Sequence, residues 1–79
     1  MNAIEKIRRN VFRANQADFA KAIGASQSSV HRWEKGTPIP IDSMAAIRDL
    51  AASLNIDWDD SWFFDAALIP EIDSAGASQ

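Results

Sequence analysis

Hydrogen-bonding side chains concentrate in residues 27–35 of this sequence. At helical spacing the outward positions hold no carboxylate, and they are Gln27, Ser28, His31, Arg32 and Lys35. Amide, hydroxyl and guanidinium groups on one helix face can donate to and accept from base edges in the major groove of DNA, which admits a single helix. The stretch therefore favours a DNA-binding surface.

Two short amphipathic helices, separated by Gly24 and Ala25, are predicted to position this face. Asn15 and Ser26 are suited to cap their N-termini. Gly24 and Gly36 can adopt the left-handed conformation that ends helices. Apolar residues at helical spacing form a shared seam, and they are Phe19, Ala20, Ile23, Val30 and Trp33. The small Ala20 is expected at the closest approach of the two helices, and so short a turn between them predicts a helix-turn-helix.

The order of these residues resembles the helix-turn-helix of the phage Cro and CI repressor family. The matching pattern, Q-x-x-x-A-x-x-x-G-x-S-x-x-x-V-x-x-W-E-x-G, runs from Gln16 to Gly36, and the resemblance extends over roughly residues 4–64. It implies an all-α fold: a compact, lambda-repressor-like DNA-binding domain of about five short helices in residues 1–69. Two departures are a slightly longer loop over residues 36–43 and a tail after Phe64 without a counterpart.

The resemblance also implies roles for individual residues. In that family the Gln that begins the first motif helix grips a phosphate, and a Gln-Ser pair at the start of the second often reads bases. Base contacts are accordingly expected from Gln27, Ser28, His31 and Arg32. Phosphate contacts are expected from Asn15, Gln16, Ser26, Lys35, Thr37 and Arg13.

Several of these residues also have a purely structural interpretation. Ser26 is a helix cap first, and Thr37 in a loop can satisfy its own backbone. His31, the one histidine of the sequence, can simply be solvated. Glu34 is the acidic residue of the second motif helix, and we expect it to hold an arginine or the helix frame away from the groove.

The formal net charge of -3 argues at first against a DNA partner, because contacts of Lys and Arg with phosphates supply most of the sequence-independent affinity. The distribution of charge changes this conclusion. Residues 1–36 hold seven Lys and Arg against three Asp and Glu, a net +4, whereas residues 37–79 hold one against eight, a net -7. Such polarity orients the basic half toward a phosphate backbone, although it equally serves solubility.

The composition fits a single small folded domain inside the cell. Of the 79 residues 47% are hydrophobic and 24% charged, which is ordinary for a globular domain. No apolar run approaches the length needed to span a bilayer, about 18 residues. No signal-peptide core is present either, so a cytoplasmic location is expected. With no cysteine and one histidine, neither a metal site nor a cofactor is predicted, and the enzyme interpretation fails for lack of catalytic groups.

Helices are predicted on both sides of the motif. The first, from about Ala3 to Arg13, has an apolar stripe through Ile4, Ile7 and Val11 and should leave its charged residues in solvent, namely Glu5, Lys6, Arg8 and Arg9. The next begins between Pro40 and Ser43 and runs to about Leu54. Its core residues are predicted to be Met44, Ile47, Leu50, Ala51 and Leu54.

A C-terminal aromatic segment follows. A short helix capped by Asp57 is predicted in residues 56–64, and some of its rings are expected to remain at the surface. Aromatic residues are favoured at protein interfaces, so we expect a homodimer interface built from Trp62, Phe63, Phe64, Leu68 and Ile69. Residues 70–79 are predicted to be a flexible, acidic tail.

Two functions are compatible with these patterns. The first is a Cro-like transcriptional repressor that binds a palindromic operator as a homodimer. The alternative is an antitoxin-type helix-turn-helix protein that binds a partner protein and also its own operator. The aromatic C-terminal segment would hold the partner in that second case.

Overall fold

A computed structural model of the chain describes residues 2–71, and within this range the secondary structure is entirely helical. Helix α1 (Ala3–Lys6) continues directly into a π-helical segment (Ile7–Phe12), and α2 (Gln16–Ile23), α3 (Gln27–Glu34) and α4 (Ile41–Ser53) follow. Two 3-10 turns, Asp60–Phe63 and Ala66–Leu68, complete the described part. The prediction of an all-α bundle is confirmed. Residues 72–79 of the predicted tail lie outside the described residues.

The ends of the two motif helices follow the predicted capping. The Oδ1 atom of Asn15 accepts a hydrogen bond of 2.7 Å from the backbone N–H of Asp18, and Ser26 Oγ accepts one of 3.1 Å from the N–H of Ser29. Gly24 has a φ of 75° and Gly36 a φ of 114°, the left-handed region in which a glycine carries no steric penalty. Capping therefore fixes where α3 begins and ends.

The first helix differs from its prediction in two ways. It ends at Phe12, and its last six residues are wound as a π-helix, with Arg13 in a left-handed conformation (φ 55°) after it. The predicted exposure of Lys6 and Arg8 is also wrong. Arg8 is buried, and Lys6 Nζ donates to the carbonyl of Ala66 over 3.2 Å. Both side chains have partners from distant parts of the chain, which compensates for their removal from water.

A single core joins all helices. Its buried members are Ile4, Ile7, Phe19, Ala20, Ile23, Val30, Trp33, Ile47, Trp62 and Ile69. The prediction for α4 is confirmed at Ile47 and Ala51, but it is wrong for Leu54, which is 54% exposed. The helix ends at Ser53, and Asn55 turns into the left-handed region (φ 59°). Leu54 therefore leaves the apolar stripe.

Aromatic rings close the core at the C-terminal end. Trp58 lies at the centre, with its ring centroid 5.0 Å from that of Trp62, 5.2 Å from Phe63 and 6.2 Å from Phe12. The short helix here is a 3-10 turn capped by Asp59, whose side chain accepts from Ser61 N, and the prediction of Asp57 as the cap is wrong. Trp58, Trp62 and Phe63 are thus part of the packing within the chain, whereas Phe64 is exposed.

Candidate nucleic-acid interface

The seam between α2 and α3 determines which side of α3 faces outward. Ala20 is 2% exposed, Val30 is fully buried and Trp33 is 5% exposed, so one side of α3 packs into the core. The opposite side presents the predicted set in full, and Gln27, Ser28, His31, Arg32 and Lys35 are all exposed. A helix of eight residues thus offers a continuous polar face.

Arg32 is held in part by Ser29, which was not predicted as a site residue. Its Nη2 atom donates a hydrogen bond of 3.2 Å to Ser29 Oγ, and that hydroxyl in turn receives a bond of 2.9 Å from Ser26 Oγ. The guanidinium retains further N–H groups for a ligand. The spacing of Ser26, Ser29 and Arg32, three residues apart on one helix face, was the available signal.

The N-termini of α2 and α3 are exposed and carry backbone N–H groups without intrahelical partners. Such ends bear partial positive charge and bind anions such as phosphate. The side-chain oxygens of Asn15 and Ser26 are already engaged as caps. A phosphate would therefore meet the amide N–H groups of Asn15 and the free backbone N–H groups beside it.

The carboxylate of Glu34 is turned away from this face. Arg8 binds it through two bonds, Nε to Oε2 at 2.6 Å and Nη2 to Oε1 at 3.1 Å, and only 7% of the Glu34 side chain is exposed. Burial raises the pKa of Glu34, but the hydrogen bonds from Arg8 and Gln16 and the charge of Arg8 outweigh it and leave that pKa below its usual value. The acidic residue of α3 is thus ionised and neutralised by Arg8 away from the outer face. The expected contact with an arginine is present, whereas the burial of Glu34 was not predicted.

Glu34 also fixes the orientation of Gln16. Gln16 Nε2 donates a bond of 3.0 Å to Glu34 Oε1, and Arg8 Nη1 donates one of 2.9 Å to the carbonyl of Ala14, next to the cap residue Asn15. One buried network therefore connects the first helix, the start of α2 and the end of α3. Arg8 was not predicted as part of this site, although its spacing of four residues from Ile4 places it on the inward face.

The remaining residues predicted to contact phosphates differ in their exposure. Arg13 and Lys35 are exposed, and Thr37 is exposed while its backbone N–H donates to the carbonyl of Arg32 over 3.0 Å. Gln16 is half-buried because of its bond to Glu34. The bond from the Thr37 N–H to the Arg32 carbonyl connects the loop after α3 to the end of that helix.

The residues expected at a dimer interface divide into two groups. Trp62 and Ile69 are 8% and 2% exposed and belong to the monomer core. Phe63 is half-buried, whereas Phe64 and Leu68 are exposed. Among the five predicted interface residues, only Phe63, Phe64 and Leu68 therefore offer surface to a partner.

A wide groove of about 660 Å³ lies elsewhere, in the acidic half of the chain. It is lined by Arg48, Asp57, Asp59 and Asp60 together with Trp58 and other residues between 52 and 62. Its three aspartates would repel a phosphate backbone, so this groove is unsuited to a nucleic-acid ligand in spite of its size.

The described residues 2–71 contain no helix with the length and apolarity that a membrane crossing requires. Comparison with protein-family models gave no match, and comparisons with curated proteins and with solved structures gave none either.

Proposed function

We propose that this chain is a sequence-specific regulator that binds double-stranded DNA by placing α3 in the major groove, as a Cro/CI-type helix-turn-helix protein does. The observation that carries the proposal is the polar, carboxylate-free outer face of α3, whose own acidic residue is neutralised inside by Arg8. A repulsive charge is thereby removed from a surface that must approach phosphates.

The proposed contacts are of two kinds, those with phosphates and those with bases. Gln16, the free N–H groups at the start of α2 and the cations Arg13 and Lys35 fix the position of the protein on phosphates, with Asn15, Ser26 and Thr37 in support. Gln27, Ser28, His31 and Arg32 reach the base edges and determine sequence preference. The network of Arg8 and Glu34 holds Gln16 in place before DNA arrives, which reduces the ordering cost of binding.

A two-fold dimer would present two copies of α3 about 34 Å apart and would require a palindromic site. Occupation of such a site over a promoter blocks polymerase, so the proposed activity is repression. The exposed Phe64 and Leu68 favour a second candidate, an antitoxin-type protein that also binds a different protein.

Selection of bound duplexes from a random pool tests the proposal. We expect enrichment of a palindrome with half-sites about one helical turn apart. A parallel selection with the Ser28→Ala, Arg32→Ala double variant should lose that enrichment, and the Lys21→Ala variant provides a matched control for the loss of an exposed cation. Equal, sequence-independent recovery of all duplexes by the native protein would contradict the proposal.

A further inference from the structure

Two large apolar side chains outside the core line one surface groove. Ile41, the first residue of α4, is 82% exposed, and Phe64, which follows the first 3-10 turn, is 79% exposed. Both border a groove of about 200 Å³, together with Met44, Ala45 and Phe63. The sequence did not lead us to expect Ile41 at an interface.

The groove suits a protein partner better than a small molecule. Its volume lies below the roughly 300 Å³ at which ligand pockets typically begin. Exposed apolar side chains that cluster and have a polar rim mark protein interfaces. Burial of apolar surface is favourable, so covering Ile41 and Phe64 favours association.

The rim of the groove indicates which partner. Arg48 and Asp60 border it, with Arg48 Nη1 3.3 Å from Asp60 Oδ2, and more than half of each side chain is exposed. In a two-fold interface the same surface meets itself, so a self-complementary rim must carry both charges. Arg48 is also the one cation among residues 37–79 of the sequence. It is therefore the group able to offset repulsion between two acidic halves.

We propose that a second copy of this chain occupies the groove, with Phe64 and Ile41 of each copy packed against the other and Arg48 of one facing Asp60 of its partner. The proposal rests on the proposed function for its biological purpose, since a dimer is what a palindromic site requires. The proposed interface differs from the one predicted from the sequence. Trp62 and Ile69 are buried in the core, and residues at the start of α4 take their place in the interface.

The position of the groove relative to α3 fits this arrangement. A neighbouring groove of about 340 Å³ shares Met44, Phe63 and Phe64 with the first and extends to Trp33, Gly36 and Thr37 at the end of α3. The proposed interface therefore lies next to the C-terminal end of α3. A dimer formed there would bring the two copies of α3 into the same assembly, as binding to a palindromic site requires.

Sedimentation velocity without DNA tests the interface. We expect the native chain to dimerise at micromolar concentration, and Phe64→Ser and Ile41→Ser each to weaken the dimer at least about tenfold. Leu54→Ser is the matched control, because Leu54 is equally apolar and 54% exposed but lies outside the groove. Circular dichroism confirms that each variant is folded.

Charge exchange provides a second readout. Arg48→Asp should weaken the dimer severalfold, and the Arg48→Asp, Asp60→Arg pair should restore it, since exposed pairs contribute little to folding itself. A native chain that remains monomeric at several hundred micromolar, or a dimer weakened as much by Leu54→Ser as by Phe64→Ser, would overturn the interface. Half-site DNA binding that persists in Phe64→Ser would leave the proposed function standing, whereas a dimer without DNA affinity would refute that function alone.

Discussion

The Nε atom of Arg8 lies 2.6 Å from Oε2 of Glu34, and this ion pair connects the first helix to the last residue of α3. Both side chains are almost fully buried, with 10% and 7% exposed. Removal of one partner from such a pair leaves an uncompensated charge in the interior. The pair therefore has consequences for stability and for the surface that α3 presents.

Glu34→Gln should lower the free energy of unfolding by about 3 kcal/mol or more, because Arg8 would then be buried without a counter-ion. Urea denaturation measures the change. Glu5→Gln is the matched control, since Glu5 pairs with Arg9 at 3.3 Å on the exposed surface and should cost less than about 1 kcal/mol. Equal losses of unfolding free energy in the two variants would contradict the conclusion that the buried pair of Glu34 stabilises the fold more than the exposed pair of Glu5.

The same pair predicts a pH dependence. The pKa of Glu34 is raised by burial but lowered more by Arg8 and Gln16, and it lies below the ordinary value of 4.5. The pair's contribution is therefore present above pH 4.5 and is lost as pH falls through the folded-state pKa. The difference in unfolding free energy between the native chain and Glu34→Gln should narrow as pH falls from about 5 to 3. A constant difference would show that Glu34 does not titrate as described.

Ala20→Leu should destabilise the chain by about 1 to 3 kcal/mol, because three added carbon atoms must fit between α2 and its neighbours. Ala20 is 2% exposed. Thermal unfolding detects the loss. Ala22→Leu adds the same atoms at an exposed position of α2 and should change stability little. Unchanged stability in Ala20→Leu would refute the close approach at that residue.

Lys35→Ala should weaken binding to all duplexes alike and lower the slope of log affinity against log salt by about one, since one phosphate contact is lost. Titrations at several salt concentrations measure the slope. Arg9→Ala removes an exposed cation to which no phosphate contact is assigned and should leave the slope unchanged. An altered base preference in Lys35→Ala would mean that this residue reads bases instead.

The parts of this structure that follow from local sequence were predictable. Caps such as Asn15 and Ser26 and the glycine at position 24 act on the residues beside them, so they define α2 and α3 without knowledge of the fold. The outward placement of Gln27 and Arg32 followed from the same helical period.

Features that depend on distant partners were not predictable in this way. Arg8 resembles a surface cation until Glu34, 26 residues away, is placed beside it. Ile41 shares a face of α4 with Met44 and Ala45, but Phe64, which completes the groove, lies on a distant part of the chain. The error at Leu54 has a local cause. Leu54 continues the apolar spacing of α4, but the helix ends one residue before it.

The most direct test concerns Gln27, the first residue of α3. Affinities of the native chain and of Gln27→Ala should be compared on the selected duplex and on every single base-pair substitution of one half-site. We predict a loss of about 1 to 3 kcal/mol and relaxed preference at one base pair, with the remaining preferences unchanged. Identical affinities and identical preferences for the two proteins would contradict the claim that this face of α3 reads DNA.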